Sequence, residues 1–201
     1  MLGVIPLPPD RRDEVIDVFA DAFHDYPLMQ WVVGPDGDVA NRVRRLIAFF
    51  VSRRVMRGGP MFGVVDGNRL VGAASLTLPT EPPPPPGITA LELQTWRELG
   101  DEARARYQTY ADTTSPFFIG VGRHHHLNMI GIRCSHKGAG LARPLLDAVA
   151  HMSEADPNST GVSLTTERAR NVTLYEHFGY SVIAHETVNE DVPTWGLFRR
   201  R

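Results

Sequence analysis

A single cysteine, Cys134, stands in this chain of 201 residues. It excludes an internal disulfide framework and a cysteine-rich zinc site, both of which need further thiols. A surplus of one charge is also missing. The formal net charge is -2, and no basic excess marks a surface for nucleic acid or anionic membrane. No apolar run approaches the roughly 20 residues of a membrane span. The segment Met1-Leu2-Gly3-Val4-Ile5-Pro6 lacks the charged lead and long apolar core of a signal peptide. Internal repeats are absent. So are the Gly-x-x-x-x-Gly-Lys-Ser/Thr loop of nucleoside triphosphatases and the Gly-x-Gly-x-x-Gly turn with a ribose-binding acid. What remains is an ordinary globular composition, 42% hydrophobic and 22% charged, sized for one well-filled domain and expected in the cytoplasm.

The stretch from His126 to Leu146 carries the strongest pattern. Its apolar run up to Ile132 suits a buried strand, and Leu141, Leu145, Leu146 and Val149 recur at the spacing of a helix with one buried face. Between them lies Lys137-Gly138-Ala139-Gly140. The first four N–H groups of a helix lack partners inside it, and the peptide dipoles add positive charge there, so such a turn suits a phosphate or pyrophosphate. Gly138 and Gly140 let backbone approach a ligand, Lys137 adds a full charge, and Pro144 is tolerated in the first turn. A plain strand-to-helix connection has the same outline.

In chain order, Val4 to Leu7 predicts a first strand, and Asp10 an N-cap for a helix whose face is Val15, Ile16, Phe19, Ala22 and Phe23. A short turn is expected to carry Leu28, Met29 and Trp31. From Asp38 a longer helix is expected, with Val43, Leu46, Ile47, Phe50 and Val51 inward, ending at Gly58-Gly59. Met61 to Val65 and Leu70 to Leu78 flank Asp66-Gly67-Asn68-Arg69 as a hairpin. The run Pro82 to Pro86 is either a polyproline partner ligand or a stiff connection, the latter reading preferred, into one or two helices over Ile88 to Asp112. Val162 to Thr166, a helix from Asn171 to Phe178, and strands Tyr180 to Val188 and Trp195 to Arg200 close the chain.

Lys137-Gly138-Ala139-Gly140-Leu141-Ala142, with Leu145 and Leu146 behind it, resembles the acyl-coenzyme A segment of the GNAT superfamily of N-acetyltransferases, Gln/Arg-x-x-Gly-x-Gly/Ala. Asn171-Val172-Thr173-Leu174-Tyr175-Glu176-His177-Phe178-Gly179-Tyr180 resembles its second hallmark, Leu-Tyr-Glu-x-x-Gly-Phe. Phe19 to Leu28 and Trp195 to Arg200 look like a bacterial branch that includes puromycin acetyltransferase. Two positions depart from the pattern: Lys137 replaces Arg or Gln, and Cys134 replaces a frequent proline. The resemblance implies an α/β (α+β type) fold, a mixed, mostly antiparallel central sheet of about seven strands with helices on both faces. One domain over 1–201 is expected, with a proline-led helical insert at about 79–116.

The same resemblance implies an enzyme that moves an acetyl group from acetyl-CoA to a primary amine of a small molecule by direct attack in a ternary complex. Tyr175 inherits the role of general acid toward the thiolate, and a phenol with pKa near 10 carries the needed proton at neutral pH. Ile130, Gly131 and Ile132 inherit backbone contacts to the pantetheine arm, with Gly131 expected to ease a widening of that strand. Lys137, Gly138, Ala139, Gly140, Leu141 and Ala142 inherit the pyrophosphate. Asn171 caps its helix or touches the coenzyme, and Arg168, standing where many members have asparagine, meets a phosphate or solvent. Thr165 stands where some members have a glutamate base, leaving His24, His124, His125, His126 and Glu167 as base candidates. The lack of that glutamate also leaves a non-catalytic acyl-CoA-binding sensor as the alternative. No metal is expected, because the consecutive histidines alternate across a strand. Cys134 reads as a small turn or core residue. A small-molecule amine is the expected partner, with no nucleic acid and no membrane, and a homodimer is allowed for.

Overall fold

The computed structural model describes residues 3–201; Met1 and Leu2, which begin the segment read as leader-free, lie outside the described residues. Seven strands form one sheet among them: β1 (Val4–Pro6), β2 (Met61–Asp66), β3 (Arg69–Thr77), β4 (His125–Ile132), β5 (Gly161–Thr166), β6 (Ser181–Val188) and β7 (Val192–Arg200). Their order is β1-β2-β3-β4-β5-β7-β6, and every neighbouring pair is antiparallel except β4 with β5. The helices are α1 (Arg12–Ala22), α2 (Pro27–Val33), α3 (Val39–Met56), α4 (Ile88–Leu99), α5 (Asp101–Thr114), α6 (Ala142–Ala155) and α7 (Ala169–His177). One core gathers Phe19, Met29, Leu46, Trp96 and Met129 under α1 to α5; the other gathers Leu127, Leu145, Val149, Leu164 and Tyr175 under α6 and α7. The mixed, mostly antiparallel sheet is as expected. Among the described residues, no helix is long and apolar enough to cross a membrane.

Local chemistry explains most boundaries. Asp38 caps α3, its Oδ1 accepting from the Asn41 N–H at 3.0 Å, and Leu46, Ile47 and Val51 bury one face. Phe49 takes the innermost position there, while Phe50 is only half-buried. Gly100, with φ +91, splits the helical segment into α4 and α5. Residues 79–87, containing Pro82–Pro86, link β3 to α4 without a helix or strand of their own.

Three expectations are corrected. The segment with Leu28 and Met29 is the helix α2, started by Pro27 at its first position; seven residues are too few for a periodic stripe to stand out. Asp10 lies in a 3₁₀ turn, Pro9–Arg11, and α1 begins without a side-chain cap. The irregularity of β4 lies at Asn128 rather than at Gly131. Ser75 opposes Met129 but Leu76 opposes Leu127, leaving Asn128 as the extra residue of a bulge. Gly131 instead makes room for α1: a Cβ there would stand 2.8 Å from Ala22 Cβ and 3.1 Å from Phe19.

The β4–β5 junction positions the site. These parallel strands pair only at His125↔Val162 and His126↔Ser163. Beyond His126 they separate, and the edge of β4 that faces β5 has no strand partner. Its backbone polar groups therefore open into a gap rather than a ladder.

Candidate active site

A cleft of about 460 Å³ occupies that gap. Of the residues expected to meet a coenzyme, Ile130, Ile132, Lys137 and Asn171 line it, together with Tyr175. Lys137 is the only lysine in the sequence. After it, Gly138 and Gly140 adopt φ +84 and +73, and a Cβ at either would meet open space. Left-handed backbone, not crowding, is what calls for glycine at these positions. Among the described residues, the N–H groups of Gly138, Gly140, Leu141 and Ala142 have no hydrogen-bond acceptor, whereas the Ala139 N–H bonds His136 O at 3.3 Å. Leu141 directs its side chain to the α6 core, so only its backbone is offered. The result is a cluster of free donors at the head of α6. Cys134 is exposed in the preceding turn, where its N–H donates to Asp21 Oδ2 at 2.5 Å.

Tyr175, on the second turn of α7, is 7% exposed, and its hydroxyl has no hydrogen-bond partner among the described residues. Burial, and then the negative charge of Glu167, raise its pKa, so the phenol keeps its proton. Glu167 follows β5 directly and is 5% exposed. The Tyr110 hydroxyl donates to Glu167 Oε1 at 2.9 Å and lies 2.8 Å from Thr165 Oγ1. The Tyr26 hydroxyl accepts the Glu167 N–H at 3.1 Å and lies 3.0 Å from Thr166 Oγ1. Burial raises the carboxyl to about 7, because a charged carboxylate is poorly solvated there. Ser163 and Thr165 share one face of β5, as the two-residue period of a strand requires, and Glu167 stands just past its end.

The histidines separate as alternation dictates. His126 lines the cleft with Nδ1 2.7 Å from Ser163 Oγ, and burial lowers it to about 3, leaving a neutral ring. His125 points the other way into a buried network with Ser159 (3.0 Å), Ser153 and Asp156. His124 is half-buried and packs with His126 on Phe118, at centroid distances of 5.8 and 5.5 Å. His24 is exposed and held by Asp21 O. Two further positions find partners within the chain. Arg168, its side chain 17% exposed, donates to Asp25 Oδ1 at 2.9 Å and lies over the Tyr26 ring. Asn171 is inside α7 rather than its cap, and its Nδ2 donates to Thr166 Oγ1 at 3.1 Å.

Sequence reasoning missed Tyr26 and Tyr110 as site residues, and Arg53, Arg54 and Asn128 as lining. Tyr26, Tyr110, Arg53 and Arg54 reach the cleft by long-range folding, and Asn128 stands at the bulge of β4.

Residues 93–195, just over half of the chain, match the family described as acetyltransferase (GNAT) domain. Solved structures share the fold across their whole length. One described as histone acetyltransferase HPA2 and related acetyltransferase, from Corynebacterium glutamicum, has a TM-score of 0.66 at 18% identity, covering 100% of this chain and 97% of that one. The C-terminal condensation domain of Ebony, in complex with β-alanyl-dopamine, has a TM-score of 0.70 at 15% identity, with 100% of each chain covered. The Drosophila melanogaster polyamine N-acetyltransferase, described as forming N-acetylagmatine, has a TM-score of 0.66 at 13% identity, covering 97% and 98%. At these identities the likeness is one of fold.

Proposed function

Because this chain belongs to the GNAT acetyltransferase family and is an acetyl-CoA-dependent N-acyltransferase, we propose that it acetylates a primary amine of a small molecule by direct attack in a ternary complex. The observation that carries this reading is the meeting of Glu167 and Tyr175 in one cleft, at the gap between β4 and β5. Small amines are supported further by two neighbours in fold, one described as a polyamine N-acetyltransferase and one as an agmatine N-acetyltransferase. Phe19 to Leu28 and Trp195 to Arg200 support a place beside the branch that includes puromycin acetyltransferase.

The free N–H groups of Gly138, Gly140, Leu141 and Ala142 and the left-handed glycines fit a pyrophosphate. In this reading Lys137 and the turn through Ala139 would hold that group, Ile130, Gly131 and Ile132 would run along the pantetheine arm, and Asn171 would flank it. Acetyl-CoA, when bound, supplies an activated carbonyl and a thiolate leaving group. Glu167 accepts a proton from the amine, which must be neutral to attack; a carboxyl near 7 is suited to that exchange at neutral pH. Tyr175 donates a proton to the departing sulfur as the carbon–sulfur bond breaks and the carbon–nitrogen bond forms. The balance closes when Tyr175 regains a proton equivalent to the one the nitrogen lost. The sensor alternative rested on a missing carboxylate, and Glu167 supplies one.

The test is coenzyme A release from acetyl-CoA, followed with a thiol reagent across a panel of primary amines, with the product identified by mass spectrometry. Amine-dependent release, matched one to one by acetylated amine, is the expected result. Coenzyme binding with no amine-dependent release would overturn it.

A further inference from the structure

The cleft as a whole is electrically lopsided. Glu167 is the only carboxylate among its lining residues, whereas Arg53, Arg54, Lys137, Arg168 and Arg170 all line it. Arg168 is answered by Asp25. The last turns of α3 are less well neutralised. There the guanidiniums of Arg53, Arg54 and Arg57 share two carboxylates: Glu81 takes both Arg54 and Arg57, and Glu92 stands 3.6 Å from Arg53 Nε. One positive charge is left over. Arg53 Nε is moreover buried without a hydrogen-bond partner among the described residues, and a buried donor left unmade is costly. Phe50, one turn earlier on α3, and Tyr107, 5.5 Å from it between centroids, form an apolar wall beside this cluster.

The two ends are well separated. Arg54 lies near His126, whose strand partner is Ser163, and Glu167 comes four residues further along. At roughly 3.3 Å per residue the span is on the order of 13 Å. An α-amino acid, with nitrogen and carboxylate on one carbon, cannot occupy both ends, and a polyamine would set its second ammonium against arginines. The geometry points to an acceptor with a primary amine at one end, an apolar body, and an anionic group, carboxylate or phosphate, at the other, held by Arg53 and Arg54. This assignment of substrate class rests on the amine acetylation proposed above.

Four amines of one chain length test it with acetyl-CoA: 6-aminohexanoate, 6-aminohexyl phosphate, hexylamine and 1,6-diaminohexane. The expected kcat/KM is at least about tenfold higher for an anionic amine than for hexylamine, with the diamine lowest. The better of the two anions identifies the group. In Arg53→Gln and in Arg54→Gln the ratio of anionic amine to hexylamine should fall toward one, whereas loss of folded protein lowers both substrates together. Arg53, the less tightly paired, gives the reading if Arg54→Gln does not fold. Preference for the diamine or hexylamine, or a ratio unchanged in the variants, overturns this assignment alone. No acetylation of any of the four removes the small-amine acceptor proposed above and this assignment with it.

Discussion

The two halves of the cleft are built by different means. In the proposed reading the coenzyme half is mainly one stretch, from Ile130 through the Lys137 turn to Ala142, with Asn171 beside it, and it offers mainly backbone N–H groups. The acceptor half is assembled from α2, α3, α5 and β5, through contacts such as Tyr26 with Thr166 and Tyr110 with Glu167, and it offers side chains. Backbone donors do not titrate, and they survive most substitutions. Buried side chains bring pKa shifts of opposite sign, Glu167 up to about 7 and His126 down to about 3. In the proposed reading the coenzyme is thus met by local geometry and the acceptor amine by tertiary contacts.

Substitutions at each half sharpen that contrast. The largest effect is expected for Tyr175→Phe, which keeps the ring but removes the proton. Steady-state rates should show kcat lowered by roughly 10²- to 10³-fold, with coenzyme affinity, measured by calorimetry, unchanged. Equal loss of coenzyme binding would make Tyr175 a packing residue of the coenzyme half.

Glu167→Gln is next, with kcat/KM down about 100-fold and a change in pH behaviour. In the parent, kcat/KM should rise with pH through about 7 as Glu167 loses its proton; the variant should lack that inflection. Stability shifts as well. A carboxyl raised from 4.5 to about 7 keeps its proton in the folded chain where the unfolded chain has lost it. Its contribution to stability is therefore greatest below 4.5 and falls as pH rises to about 7. Above pH 7 the variant should gain up to about 3 kcal/mol in denaturant melts. His126, lowered from 6.5 to about 3, acts at the other end: its contribution is present above 6.5 and is lost as pH falls toward 3. Between pH 4.5 and 6.5 these two slopes oppose each other, so the buried carboxyl is read from the difference between parent and Glu167→Gln; a difference that stays constant from pH 4.5 to 7 would contradict it.

Gly131→Ala should destabilise by about 1–3 kcal/mol, since the new methyl meets α1 at Ala22. Chemical denaturation measures it, and a neutral result would show that α1 can yield. The smallest effect is expected for Gly140→Ala. Holding alanine in left-handed backbone costs about 1–2 kcal/mol, so coenzyme Kd should weaken by roughly tenfold, with acceptor KM unmoved.

The legible parts of the chain are those whose cause is short-range. The hairpin at Asp66 to Arg69, the Asp38 cap and the Lys137 turn each follow from a few adjacent residues, and each is found at its expected place. Tyr175, found in the cleft, was legible only through its helix motif. Less legible was α2, because seven residues hold too little periodicity. The bulge was assigned to Gly131 because glycine tolerates irregular backbone, yet register is a property of two strands, and β3 against β4 puts the extra residue at Asn128. Glu167 was one base candidate among five; what distinguishes it is Tyr110, 57 positions away in sequence.

By itself, the amino-acid sequence determined most element types, the sheet's general composition and the glycine turn after Lys137, because propensity, capping and glycine's left-handed freedom act within a few residues. Only tertiary structure decided where β4 and β5 part, which histidine faces the cleft, and that a carboxyl sits buried among Tyr26, Tyr110 and Tyr175. Burial and strand register are relations between distant segments, and the shifted proton affinities that acid–base chemistry needs arise only once those segments have packed.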